Sequence, residues 1–167
     1  MTVHLRRLEP ADLDGVVALS LRAWEPVFAS MAAVLGPRLD AMVNPEWRTG
    51  QAAAVRAVCE ERSAYVYVAD LGGDVVGFAA VALHGDAAPE PGSGEIEMIA
   101  VDPEHQRCGV ARRLIDHCTD VMVEEGCRFA VVATGGDPGH APARAAYEAA
   151  GFTGLPLVRY YKALPAG

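Results

Sequence analysis

The stretch Glu104–Ile115, EHQRCGVARRLI, sets a glycine and a small residue two positions apart, between an Asp102-Pro103 turn and a long apolar-periodic segment. Downstream, Val110, Leu114, Cys118, Val121 and Met122 recur at helical spacing until Gly126, which predicts a helix and its stop. Upstream, EIEMIAV (95–101) reads as a strand ended by Asp102-Pro103. A strand, a glycine turn and a helix N-terminus together form an anion site, because unpaired N–H groups and the positive end of the helix dipole converge there. Gly109 and Ala111 let a ligand approach the backbone, and Arg107, Arg112 and Arg113 add charge to the same turn. A phosphate is the natural guest. The pattern is neither a Walker loop, since no Gly-Lys-Ser/Thr follows, nor the dinucleotide fingerprint G-x-G-x-x-G.

Outward from this turn the chain alternates strand and helix signals. TVHLRRL near the start reads as a short strand, and Leu13, Val17, Leu21 and Trp24 mark a first helix opened by Pro10. Residues 25–43 have no clear pattern. Asn44-Pro45 reads as a cap and first-turn pair for a second helix with Trp47, Gln51, Ala54, Val55 and Val58 on one face. AYVYVAD and VVGFAAVAL flank LGGD, which predicts an antiparallel hairpin with glycines at the turn. HGDAAPEPGSG is a loop. CRFAVVAT (127–134) is an almost continuous apolar run, as expected of a strand buried on both faces. A second loop, GGDPGHAP, leads to a short helix from Pro142 through Ala150, closed by Gly151, and LVRYYKAL reads as a last strand.

The chain has 167 residues, no repeats and no linker, so one domain over residues 1–167 is expected. Fourteen basic residues against 22 acidic ones give a net charge of −8, which argues against nucleic acid or an anionic membrane surface and suits a cationic partner, or merely solubility. The four cysteines form no C-x-x-C pair and the first residues lack an apolar leader core, so a reduced, cytoplasmic protein is expected. The five histidines are scattered without ligand spacing, and no metal is expected.

EIEMIAVDPEHQRCGVARRLI (95–115) resembles the acetyl-CoA signature of the GNAT superfamily of N-acetyltransferases, whose core motif is Q/R-x-x-G-x-G/A; Gln106, Gly109 and Ala111 fill those positions. HAPARAAYEAAGF (140–152) resembles that family's N-x-x-A-x-x-x-Y-x-x-x-G-F motif, with Ala143, Tyr147, Gly151 and Phe152 matching and His140 in place of Asn. The resemblance implies an α/β (α+β) fold with a mixed, mostly antiparallel central sheet flanked by helices on both faces. It implies acetyl-CoA as co-substrate, its pyrophosphate on Gln106, Arg107, Cys108 and Gly109 and, in the first helical turn, Val110, Ala111 and Arg112. Its pantetheine arm would pair like a strand with the backbone of Ile99, Ala100 and Val101. His140 would contact the cofactor, cap the following helix or be merely exposed.

The implied reaction is direct attack by a primary amine, small and cationic or on a peptide, on the thioester carbonyl. An alkylammonium has a pKa of about 10.4 and a thiol of about 8.5, so the nucleophile must lose a proton and the leaving thiolate gains from receiving one. Tyr147 matches the family position of that acid; otherwise it is a core aromatic. Glu95 and Glu97, two apart and hence on one strand face unless a bulge intervenes, are the candidate bases, or solvated carboxylates that only hold a cation. Glu95 stands eleven residues before Gln106, the spacing of the glutamate base in histone-acetylating members. The acceptor is expected near Trp24, Phe28, Met31 and Trp47, unless these are core. The alternative is a non-catalytic acyl-CoA-binding module. A homodimer is compatible with either.

Overall fold

The computed structural model describes residues 2–85 and 88–165. Strand β1 (His4–Arg7) is followed by helices α1 (Leu13–Val43) and α2 (Trp47–Glu61), the hairpin β2 (Val66–Leu71) and β3 (Asp74–Leu83), then β4 (Ser93–Val101), α3 (Val110–Glu124), β5 (Phe129–Val131) and α4 (Ala141–Ala149). The five strands form one sheet in chain order, antiparallel throughout except that β5 runs parallel to β4. The expected mixed sheet with helices on both faces is what the chain forms.

The hairpin follows from its two glycines. Gly72 and Gly73 hold φ of 69° and 100°, the pair of positive values that a two-residue turn needs to match strand twist, and Asp70 Oδ1 accepts the Gly73 N–H at 2.8 Å. Strand β3 sits mid-sheet and is buried on both faces from Val76 to Ala82. Val76, Ala79 and Val81 meet Leu114, Ile115 and Cys118 of α3 on one face. On the other, Phe78 and Ala80 meet Val16, Val17 and Leu19 of α1 and Val55 and Cys59 of α2.

Helix α1 runs through residues 25–43, where periodicity is unclear, interrupted at Gly36 (φ 76°, ψ 163°) immediately before Pro37. Its best 18-residue window has a mean hydropathy of 1.2, enough by length and composition for a membrane span, yet Val16, Val17 and Leu19 are spent on the core. Asn44 ends α1, its side chain donating to Asp40 Oδ1 at 2.8 Å, and does not start α2; the αL residue Glu46 does.

Three sequence expectations fail, two of them because a strand needs a neighbour. The apolar run at 127–134 yields only three residues of β5, paired with Ser93, Gly94 and Glu95, and Phe129 is 46% exposed. The last strand does not form: residues 152–165 carry no regular structure, and Tyr160 is 89% exposed. Neither segment pairs any further along a neighbouring strand, and β-propensity alone does not hold an unpaired strand. Third, Ala80 pairs with Met98 but Val81 with Ile96, so Glu97 is the extra residue of a β-bulge and does not share a simple face with Glu95.

Candidate active site

Because β5 leaves the sheet after Val131, β4 keeps an unpaired edge from Ile96 to Val101. A cavity of about 510 Å³ opens along it, floored by this edge and walled by α1, the start of α3, the residues after β5, and α4. Ile99, Ala100 and Val101 line it, as do Gln106, Arg107, Gly109, Ala111, His140 and Tyr147. Residues separated by most of the chain thus converge on one space.

At one end lies the glycine turn. Arg107 (φ 60°) and Gly109 (φ 82°) both sit in the left-handed region, with Gln106 extended before them. Gln106 Nε2 donates to Val101 O at 3.1 Å and ties the turn to the end of β4. Asp102 anchors the turn's start: it accepts the Glu104 N–H at 3.1 Å and is paired with Arg22 of α1. Burial opposes ionisation of this carboxyl, but Arg22 and the Glu104 amide outweigh it and hold its pKa below the usual carboxylate range. Arg113 N–H to Gly109 O, at 3.1 Å, is the first helical bond of α3, which leaves the amides of Val110, Ala111 and Arg112 without intrahelical acceptors. Backbone amides so arranged can hold an anion.

Its side chains are less uniform than the sequence suggests. Arg107 lines the cavity, but the Arg112 guanidinium is engaged elsewhere, bonded to Asp116 at 2.8 Å and to Ala149 O at 2.8 Å, where it staples α3 to the end of α4. Cys108 is exposed at the tip of the turn. Val110 is buried in the core below it.

The cavity wall opposite β4 is α4. Tyr147 is 8% exposed, packs its ring 6.0 Å from that of Phe152, and lines the cavity. Burial pushes its phenol up to about 12, so it carries its proton throughout the neutral range.

The two glutamates separate. Glu97 lines the cavity and accepts from Arg62 Nε at 2.8 Å. Glu95 lies outside the lining, with Oε2 at 2.9 Å from His84 Nε2. Of the candidate acceptor residues only Trp24 reaches the cavity, its ring edge-on to Phe78; Phe28 instead stacks on Trp47 at 4.3 Å under Arg48.

Two side chains that the sequence does not single out, Ser30 and Asp137, form a group with His140. Ser30, on α1, donates to Asp137 Oδ2 at 2.6 Å and accepts the Gly139 N–H at 2.8 Å, and Asp137 Oδ1 is bonded to His140 Nδ1. Burial raises the Asp137 pKa, but Ser30 and His140 together bring it below the ordinary value. Asp137-Pro138 with a histidine two residues further on was the local signal available; Ser30 gave none, because its partner is 107 residues away.

The Acetyltransferase (GNAT) family profile matches residues 36–152. No curated protein matches significantly. Among solved structures, an aminoglycoside N-acetyltransferase, AAC(6')-Iy, in complex with CoA superposes with a TM-score of 0.64 at 19% identity, covering 98% of this chain and 97% of that one. The ribosomal-protein-S18-alanine N-acetyltransferase of Escherichia coli gives 0.63 at 21% identity, covering 93% and 80%. An N-acetyltransferase of Thermoplasma acidophilum in complex with coenzyme A gives 0.63 at 12% identity, covering 89% of each chain. At these identities the likeness is one of fold.

Proposed function

The chain belongs to the acetyltransferase (GNAT) family, and from that premise we propose that it transfers the acetyl group of acetyl-CoA to a primary amine, a small cationic amine or a peptide amine, by direct attack. The observation that carries this reading is the continuity of the unpaired β4 edge with the amide cradle of α3. The residues present suit that co-substrate. An amide-bearing pantetheine arm can pair like a strand along the Ile99–Val101 edge of β4, on the side away from β3, and a pyrophosphate suits the amides at the α3 N-terminus with Arg107 beside them. Arg112, turned toward Asp116 and Ala149, contributes its amide and not its charge.

In the transfer, a bond forms between the amine nitrogen and the acetyl carbon, the C–S bond breaks, and the sulfur takes a proton from Tyr147. A phenol with a pKa of about 12 is a weaker acid than a thiol near 8.5. The donation is nevertheless favourable overall, because the acylated nitrogen is strongly acidic and returns its surplus proton to the tyrosinate. Tyr147 in this reading is a conduit between nitrogen and sulfur. The net charge of −8 supports a cationic acceptor. Two neighbours of this fold act, by their names, on an aminoglycoside and on a protein-bound alanine, so the fold leaves the acceptor open.

The test is thiol release from acetyl-CoA over a panel of amines, beside a thermal-shift titration. Acetyl-CoA should raise the melting temperature, and at least one cationic amine should turn over. Binding without transfer to any amine would leave a non-catalytic acyl-CoA-binding module.

A further inference from the structure

The Ser30–Asp137–His140 group belongs neither to the amide cradle nor to the acid Tyr147, and its construction is specific. Two glycines make room for it. A Cβ at Gly135 would lie 2.5 Å from both Asp137 Oδ1 and His140 Nδ1, and one at Gly139 would lie 2.5 Å from Ser30 Cβ. Arg144 fixes the turn from α4, donating to Gly135 O at 2.6 Å and to Asp137 O at 2.9 Å. The result is a carboxylate clamped from two sides, on α1 and on the turn before α4, with an imidazole held against it.

Chemistry follows from which nitrogen is held. An ionised Asp137 only accepts hydrogen bonds, so the neutral His140 ring must carry its proton on Nδ1 and its lone pair on Nε2. Among the described residues Nε2 has no protein partner, and His140 lines the same cavity as Tyr147. The glutamates are less free: Glu97 is paired with Arg62, and Glu95 sits outside the cavity against His84.

We infer that His140, oriented by Asp137 and Ser30, is the general base that takes the proton from the acceptor ammonium. The inference rests on the acetyltransfer proposed above. The ammonium gives one proton to Nε2 and becomes the nucleophile, the nitrogen attacks and C–S breaks, the second surplus nitrogen proton passes by way of Tyr147 to sulfur, and the imidazolium releases its proton to solvent. One proton per turnover leaves the site. Asp137 and Ser30 are positioning residues. Arg144 on α4 stands against the same turn, and the other charged or titratable groups of the shared cavity are Glu97 on β4, Arg107 on the turn before α3, and Tyr147 on α4; α1 contributes Ser30, which is uncharged.

Three readouts test it. In the wild type, kcat/KM for the amine should rise with pH along a limb that requires His140. His140→Gln should lower kcat about 10²-fold at neutral pH and abolish that limb, leaving a rate that climbs toward the pKa of the amine itself, with the Kd of acetyl-CoA changed less than about two-fold. Asp137→Asn should lower kcat comparably while Glu95→Gln keeps the limb. Independently of activity, nitrogen-15 NMR of the ligand-free protein should show His140 as the Nδ1–H tautomer, lost in Asp137→Asn. An unaltered limb in His140→Gln, a raised acetyl-CoA Kd with unchanged kcat, or an Nε2–H tautomer would each overturn the proposal. Should His140→Gln not fold, His140→Asn and the tautomer measurement decide. A wild type that binds acetyl-CoA but acetylates nothing defeats the acetyltransfer reading, and the base role with it; a wild type that turns over with a His140-independent limb defeats the base role alone.

Discussion

Two turns face the same cavity and are built from opposite materials. The turn from Gln106 to Gly109 presents backbone: its amides converge because Arg107 and Gly109 adopt positive φ, while Cys108 points outward and Arg112 reaches away to Ala149. The turn from Gly135 to His140 presents side chains, and its glycines serve only to clear space for Asp137, His140 and the incoming Ser30. A site made of backbone depends on conformation and tolerates changes of side chain. A site made of side chains depends on identity and on the distant element that completes it.

The strongest way to break this comparison is Gly109→Asp. It puts a side chain at φ 82°, costing roughly 1–2 kcal/mol, and a carboxylate where an anion should sit. The acetyl-CoA thermal shift should vanish and affinity fall by about 10²-fold or more; retained binding would refute a backbone cradle. Next in size, Tyr147→Phe keeps the ring and loses the proton, so turnover should fall about 10²-fold with acetyl-CoA affinity unchanged. The same variant has a pH signature. The folded pKa of about 12 lies above the unfolded value of about 10, so the stability tied to the protonated phenol is complete below pH 10 and disappears as pH rises toward 12. Alkaline melts of Tyr147→Phe should lack that portion of the decline.

Gly139→Ala probes the other turn. Its Cβ would lie 2.5 Å from Ser30, so α1 or the turn must shift, at about 1–3 kcal/mol and several degrees of melting temperature. A variant as stable as wild type would mean that the junction is looser than its contacts indicate. The smallest effect belongs to Cys108→Ser, which should change acetyl-CoA affinity by less than about two-fold, since an exposed side chain on a backbone cradle is replaceable. A large loss would assign the thiol a role the turn's geometry does not.

Legibility in the sequence follows the same division. LGGD announced its hairpin and Gly109 its left-handed turn, because a demand for positive φ is local and glycine meets it. The buried stripe of α3 was legible from spacing alone. Glu95 and Glu97 were not, since the bulge that separates them arises from the register of β4 against β3. The Arg112 staple to Ala149 depends likewise on where α4 docks.

Local turns, core-facing stripes, the strand-turn-helix unit at Gly109 and the likeness to an acetyltransferase family were all legible in the sequence. Tertiary structure alone decided that β5 stops after three residues, that 152–165 adds no strand, and that Ser30 and Asp137, 107 residues apart, clamp His140 at a shared cavity. The physical reason is range. Backbone dihedral preferences and side-chain periodicity act between neighbours in the chain, whereas strand pairing, cavities and side-chain networks exist only once distant elements have docked.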